Sequence, residues 1–236
     1  YIDMNWRTGL SALLAVLLSG VLVAWMLRQA PATSSGGRLP APKLDQPRAP
    51  ESSRESVVFA GGCFWGVQAV FEHVRGVVAA TAGYAGGQAS TAQYETVSTG
   101  TTGHAESVHV VFDPSQVSFG ELLEVYFSVA HNPTELNFQG PDVGSQYRSE
   151  IFYTRPEQAR IAKAYILQLE AAHDYSRPIV TTLAPLPGFY PAEAYHQDYA
   201  AHHPDDLYIR INDAPKLVAL QKVWPEYFSA RPAPSR

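Results

Sequence analysis

Twenty consecutive residues, Thr8 to Leu27 (TGLSALLAVLLSGVLVAWML), carry no charged side chain. As a helix such a run rises about 30 Å, the depth of a bilayer's hydrocarbon core. Arg7 and Arg28 bracket it, and Trp6 and Trp25 lie near its ends, where interfacial aromatics belong. A cleavable signal with Ala30-Pro31-Ala32 as its small-residue site is the competing reading. The run exceeds the usual h-region of about 7–15 residues, which favours an uncleaved anchor. Translation is expected to start at Met4. The basic residues after the run (Arg28, Arg38, Lys43, Arg48) outnumber those before it, which by the positive-inside count places the following chain in the cytoplasm. A lone N-terminal segment behind a short basic start directs it outward instead. The expectation adopted is a membrane-anchored protein with an extracytoplasmic (periplasmic) domain, secreted if the segment is cleaved.

The rest of the chain divides on composition. Residues 1–30 form the anchor or signal segment. Residues 31–55 (PATSSGGRLPAPKLDQPRAPESSRE) hold few large apolar side chains, cannot build a core of their own and read as a flexible tether. The folded domain is expected over 56–228, followed by a disordered tail, 229–236. With 236 residues and a formal charge of −5, the chain holds one domain and lacks the basic surplus of a nucleic-acid binder. Nothing points to more than a monomer.

Within the domain, apolar Val57–Ala60 ends at Gly61-Gly62, a buried strand and a turn. Residues 63–73 carry Phe64, Val67, Val70 and Phe71 at helical spacing. Strands are expected over Gly76–Tyr84 and Glu106–Phe112. Ser118 with Glu121 forms a capping-box pattern, opening a helix with Phe119, Leu122, Leu123, Tyr126, Phe127 and Ala130 on one face. Thr154, Pro156 and Glu157 open a second helix ending near His173, and Ile179–Leu183 is a late strand. The fold class is α+β, a two-layer α/β sandwich around a mixed sheet, with an N-terminal transmembrane or signal helix.

Cys63 is the only cysteine, which excludes an internal disulfide framework. A lone cysteine is by default a small buried hydrophobe. Its setting argues otherwise: Gly-Gly before it and a helix starting at it aim free amides and the helix dipole at the sulfur, an arrangement expected to lower the thiol pKa. The glycines would also let a substrate approach the backbone. Phe64 and Trp65 cannot both enter the core, so at least one should line a pocket. Glu106 on its own reads as a solvated strand-edge carboxylate. The eight histidines, with no H-x-x-x-H pair, give no metal-ligand pattern. A thiol peroxidase would also use a sulfenic acid, but wants Arg and Thr beside the thiol. A papain-like hydrolase lacks a matching His and Asn motif, and a non-enzymatic binding module stays open.

GGCFWGVQAVFEHVRGV, followed by AGYAGG, TGHAESVHVVFDP, GPDVGSQYRSEIF and AEAYHQDY, closely resembles the methionine sulfoxide reductase A family across about residues 57–200. The resemblance implies that Cys63 attacks the sulfoxide sulfur and that Glu106 is the acid protonating its oxygen. It implies that Tyr94, Asp142 and Tyr147 form the polar side of the substrate pocket, and that Phe64 and Trp65 receive the S-methyl group. No metal or cofactor is implied. The expected activity is reduction of the S diastereomer of methionine sulfoxide, free or in oxidised proteins. Many members carry further cysteines that resolve the sulfenic acid; this chain has none. It is therefore expected to need an outside thiol, from a thioredoxin-like protein or glutathione with a glutaredoxin-like protein. Both methionines, Met4 and Met26, lie in the N-terminal segment, so the domain offers oxidants no thioether of its own.

Overall fold

The computed structural model describes residues 37–235; the apolar run 8–27 and the first residues of the tether lie outside them. Among the described residues no helix is long and apolar enough to cross a membrane.

The apolar run Val57–Ala60 is uniformly buried because it sits mid-sheet, as strand β1 (Glu55–Gly61). Alternate side chains serve opposite faces. Val57 and Phe59 join the main core, while Val58 and Ala60 pack with Ala85, Ala105 and Phe152 on the other face. The remaining strands of this sheet are β2 (Val77–Ala85), β3 (Ala105–Phe112), β6 (Ser149–Tyr153), β7 (Thr182–Pro185) and β8 (Phe189–Pro191), in the order β7-β6-β1-β3-β2-β8. All neighbours are antiparallel except β6 and β7, so the sheet is mixed and the fold α+β. A parallel pair needs a crossover, and helix α4 (Pro156–Ala172) supplies it. A separate two-stranded ladder joins β4 (Phe138–Gln139) to β5 (Asp142–Val143).

Helix α1 (Phe64–Glu72) lies against β2 and β1, with Phe71 stacked on Phe59 at 4.8 Å between ring centroids. Removing such a ring costs about 3–5 kcal/mol. A short helix, α2 (Tyr94–Val97), leads into β3. Helix α3 (Phe119–Val125) starts at the expected capping box: Ser118 Oγ accepts the Glu121 amide at 3.2 Å and the Glu121 carboxylate accepts the Ser118 amide at 2.7 Å. All six residues of its apolar face are buried. The last of them lie in a π turn, Tyr126–Ala130, where the His131 ring binds the Tyr126 carbonyl at 3.0 Å. The chain ends in α5 (Tyr199–His202), a π turn (Ile209–Asp213) and α6 (Ala214–Val223).

Three expectations differ from the structure. The late strand begins at Thr182, because the Val180 amide is taken by the Pro133 carbonyl at 2.8 Å and only the following residues run beside β6. From Arg38 to Ser52 the expected tether is a strap laid on the domain. Tyr165 and Gln168 on α4 bond the carbonyls of Pro40 and Ala41 at 2.9 Å, Leu39 is buried, and the Arg38 guanidinium lies 4.4 Å over Trp224. Asp45 accepts the Ser118 hydroxyl and, at 2.9 Å, the Gly120 amide, completing the α3 cap. The tail is also held: the Ser229 and Ala233 amides bond the carbonyls of His73 and Glu72 at 2.8 and 2.7 Å, and the Ala80 amide bonds that of Pro234 at 3.2 Å. Poverty in apolar residues shows that a segment has no core of its own. It leaves that segment free to satisfy backbone groups that helix ends and strand edges leave open.

Asp45→Ala is expected to lower the unfolding free energy by about 1–3 kcal/mol, because it strips acceptors from two partly buried donors. Urea denaturation of a fragment from residue 37 checks this; an unshifted midpoint contradicts the strap.

Candidate active site

β1 runs into α1 through Gly61 and Gly62, and each glycine has a local reason. Gly62 sits at φ +89°, and a Cβ there would also meet the Gln139 side chain at 2.6 Å. A Cβ on Gly61 would meet the His131 ring at 2.7 Å. The space that the sequence suggests for substrate at these glycines is thus filled by the protein's own side chains. The outcome is a sharp turn that leaves Cys63 as the residue capping α1.

The first-turn amides of α1 have no partner within the helix. Two of them converge on reactive groups. The Phe64 amide donates to Glu106 Oε2 at 3.0 Å, and the Trp65 amide faces the Cys63 sulfur. Gly66 lets Asp213 approach from the C-terminal segment; a Cβ would lie 2.0 Å from its Oδ1. A buried carboxyl from one strand and another from the far end of the chain thus meet the positive end of the helix.

Burial governs protonation here. Cys63 is 8% exposed and Glu106 3%. Loss of water lifts the Cys63 thiol well above its ordinary value, and the Glu106 and Asp213 charges push the same way, against the Trp65 amide and Lys216. The expected helix-lowered thiol pKa is therefore corrected: one amide and half a dipole do not outweigh full desolvation. Burial likewise raises Glu106 to about 8, opposed by the Phe64 amide and helped by Asp142 and Asp213. At neutral pH the pair holds two protons, one on sulfur and one on the carboxyl.

A cavity of about 210 Å³ opens at this pair, lined by Cys63, Phe64, Trp65, Tyr94, Glu106, Asp142, Tyr147 and Tyr208. All seven residues singled out in the sequence meet there. Phe64 is buried, while Trp65 is half-buried, stacked on Tyr199 at 3.9 Å and donating its indole N–H to His196 at 3.2 Å. Tyr94 is placed by Glu193, which accepts its amide at 3.0 Å and the Tyr84 hydroxyl at 2.8 Å. Gln197 clamps Ala82 in both directions at 3.0 and 2.9 Å, so AEAYHQDY fastens the wall of the site to β2. Tyr147 follows a turn that Arg148 pins through Glu150 (2.6 Å), Ser145 (3.0 Å) and Gly103 (3.0 Å). His104 has both ring nitrogens on backbone, the Gly87 amide at 3.2 Å and the Gln88 carbonyl at 3.0 Å, and serves the turn rather than the cavity.

Sequence reasoning misses Tyr208, Tyr199, Asp213 and Lys216. Tyr208 donates its hydroxyl to Asp142, and Lys216 pairs with the buried Asp213 at 3.1 Å. The π turn over Ile209–Asp213 lies between them and breaks the 3.6-residue spacing that would have put them on one face.

A buried thiol and a buried carboxyl sharing a small aromatic cavity on an α+β scaffold fit a thiol-dependent oxidoreductase. Residues 55–227 match the family model described as peptide methionine sulfoxide reductase. Peptide methionine sulfoxide reductase MsrA 2 of Mesorhizobium japonicum is 56% identical over 80% of this chain and 96% of its own, and the Synechocystis protein of that name 50% identical over 75% and 83%. Among solved structures, methionine sulfoxide reductase A of Corynebacterium diphtheriae aligns with a TM-score of 0.57 at 35% identity, covering 72% of this chain and 87% of that one. Reduced Mxr1 of Saccharomyces cerevisiae aligns at 0.58 and 30%, covering 69% and 91%. The chain belongs to the peptide methionine sulfoxide reductase family, and its activity is the thiol-dependent reduction of methionine sulfoxide that repairs oxidised protein.

Alkylation of Cys63 by iodoacetamide is expected to titrate above the ordinary thiol value. Glu106→Gln should move that midpoint down, since a neighbouring negative charge is removed. A midpoint near pH 7 in the native protein contradicts a thiol governed by burial.

Proposed function

We propose that Cys63 is the nucleophile and Glu106 the acid in reduction of the S diastereomer of methionine sulfoxide. The Phe64 amide carries this reading, since it joins the Glu106 carboxyl at 3.0 Å to the helix turn that bears Cys63. The proton count fits the chemistry. Glu106 donates to the sulfoxide oxygen as the Cys63 sulfur attacks the sulfoxide sulfur, and the thiol's own proton returns to the carboxylate. In the resulting Cys63–S–S(OH) adduct the hydroxyl oxygen shifts to the Cys63 sulfur as its bond to the substrate sulfur and the new S–S bond break. Thioether leaves, and Cys63 keeps the oxygen as sulfenic acid. Nothing is gained or lost but one oxygen, passed from substrate to enzyme.

Selectivity follows from three fixed points. The S-methyl group rests on Phe64 and Trp65, where apolar contact favours it. The oxygen faces Glu106 with Tyr94 and Tyr147, and the sulfur faces Cys63. With those three set, the remaining arm can leave the cavity for only one hand of the sulfoxide, which the family resemblance gives as S. The arm can belong to a free amino acid or to an oxidised protein.

No second cysteine is available, so the sulfenic acid is reduced by a thiol from outside, thioredoxin-like or glutathione with a glutaredoxin-like protein. The uncharged run 8–27 supports an N-terminal membrane anchor or cleaved signal, and a lone segment behind a short basic start favours an extracytoplasmic reductase, secreted if the segment is cleaved.

With a fragment from residue 37, dithiothreitol and the two N-acetyl-methionine sulfoxides, the S form should turn over and the R form should not. Equal turnover contradicts the three-point site. The rate of the sulfoxide step should fall as pH rises through about 8, where Glu106 loses its proton. Glu106→Gln should cost about 10²–10⁴-fold in that step and abolish this limb.

A further inference from the structure

Cys63 opens into a second cavity besides the one described above. It measures about 80 Å³ and is lined by Cys63, Gln139, Gly140, Pro141, Asp142, Tyr208, Asn212 and Lys216. The two spaces share Cys63 and the hydrogen-bonded pair Tyr208–Asp142. In the rest of their lining they differ. Glu106, Phe64, Trp65, Tyr94 and Tyr147 belong to the larger space alone; Gln139, Asn212 and the Lys216 ammonium belong to the smaller one alone.

We propose that the small polar cavity is the entry for the reducing thiol, so that sulfoxide and reductant reach Cys63 by separate routes. This rests on the sulfenic acid assigned to Cys63 above. Displacement at a sulfenic sulfur is an in-line exchange: the incoming sulfur approaches from the side away from the departing oxygen. Oxygen delivered beside Glu106 remains on the larger cavity's side, which directs the attacking sulfur to the other opening. Room for about two or three groups of water size, at roughly 30 Å³ each, suits the slender CH₂–S end of a thiol and excludes a ring. Lys216, bonded to the buried Asp213 at 3.1 Å, is the cation lining the small cavity; it offsets the Asp213 and Asp142 carboxyls, so an incoming thiolate meets less repulsion than they alone would give. All of Tyr208, Asn212, Asp213 and Lys216 come from the C-terminal segment, which has no cysteine of its own.

The step balances with two thiols. The first, R–SH, forms a bond to the Cys63 sulfur while the S–O bond breaks; its proton and the oxygen leave as water, giving Cys63–S–S–R. A second R–SH attacks the R-side sulfur, releasing R–S–S–R and the Cys63 thiol. The sulfenic acid gains two electrons, and the two thiols lose them.

The test separates the half-reactions. Reduced enzyme is mixed with N-acetyl-methionine-S-sulfoxide and no thiol, and the methionine released in one turnover is counted. The oxidised enzyme, freed of substrate, is then mixed with glutathione or thioredoxin, and loss of dimedone-reactive Cys63 is followed. Lys216→Met should slow this second step about tenfold, the effect of one nearby charge on thiolate attack, and Lys216→Arg should restore most of it. Asn212→Phe, which narrows the small cavity, should slow it as well. Asn212→Phe should slow the methionine burst far less than the second step. Slowing with glutathione alone assigns the entry to small thiols, and slowing with both assigns it to protein thiols too. An unchanged second step in both Lys216→Met and Asn212→Phe, or equal slowing of the two half-reactions by Asn212→Phe, overturns the separate entry. Absence of a burst in the unmodified enzyme instead overturns the assignment of Cys63 as nucleophile.

Discussion

The Glu106 carboxyl is buried beneath the first turn of α1, with the Phe64 amide at 3.0 Å as its fixed partner. Most of what surrounds it follows from keeping that group both dry and useful. Dryness raises its pKa to about 8, which keeps a proton on it at neutral pH. Use demands that the proton face the sulfur of Cys63, so the two must arrive from different elements. The turn at Gly61-Gly62 delivers the cysteine, and antiparallel pairing of β3 between β1 and β2 delivers the acid. A buried charge would cost several kcal/mol here, and a buried neutral acid avoids that cost while remaining a donor.

Seen this way, the thiol's high pKa is a consequence rather than an obstacle. The same desolvation that keeps Glu106 protonated keeps Cys63 protonated. The reduction proposed for Cys63 and Glu106 needs one proton on oxygen and one fewer on sulfur, and a site holding both protons at rest supplies them.

Much of this was legible in the sequence because it depends on local patterns. The apolar run of β1, the Ser118–Glu121 capping box and the helical spacing after Cys63 are short-range signals, and each element formed where its pattern lay. Cys63, Glu106, Phe64, Trp65, Tyr94, Asp142 and Tyr147 were singled out through the family resemblance, and one cavity gathers them. The thiol's protonation was misjudged because a helix start is visible in sequence and burial is not. The strap, the tail and the C-terminal wall were missed for a different reason. Asp45 on the α3 cap, Ala233 on the Glu72 carbonyl and Tyr208 on Asp142 are contacts across the chain that carry no periodicity. Tyr208 and Lys216 are further hidden by a π turn, which shifts the register that helical spacing assumes.

The central claim is that Glu106 is a protonated acid in the resting enzyme at neutral pH. Infrared difference spectroscopy reads this directly, comparing native protein with Glu106→Gln across a pH series. The account predicts a carbonyl band of a protonated carboxylic acid at pH 7 that belongs to Glu106 and disappears through about pH 8. A carboxylate signature for Glu106 already present in full at pH 7 would contradict it.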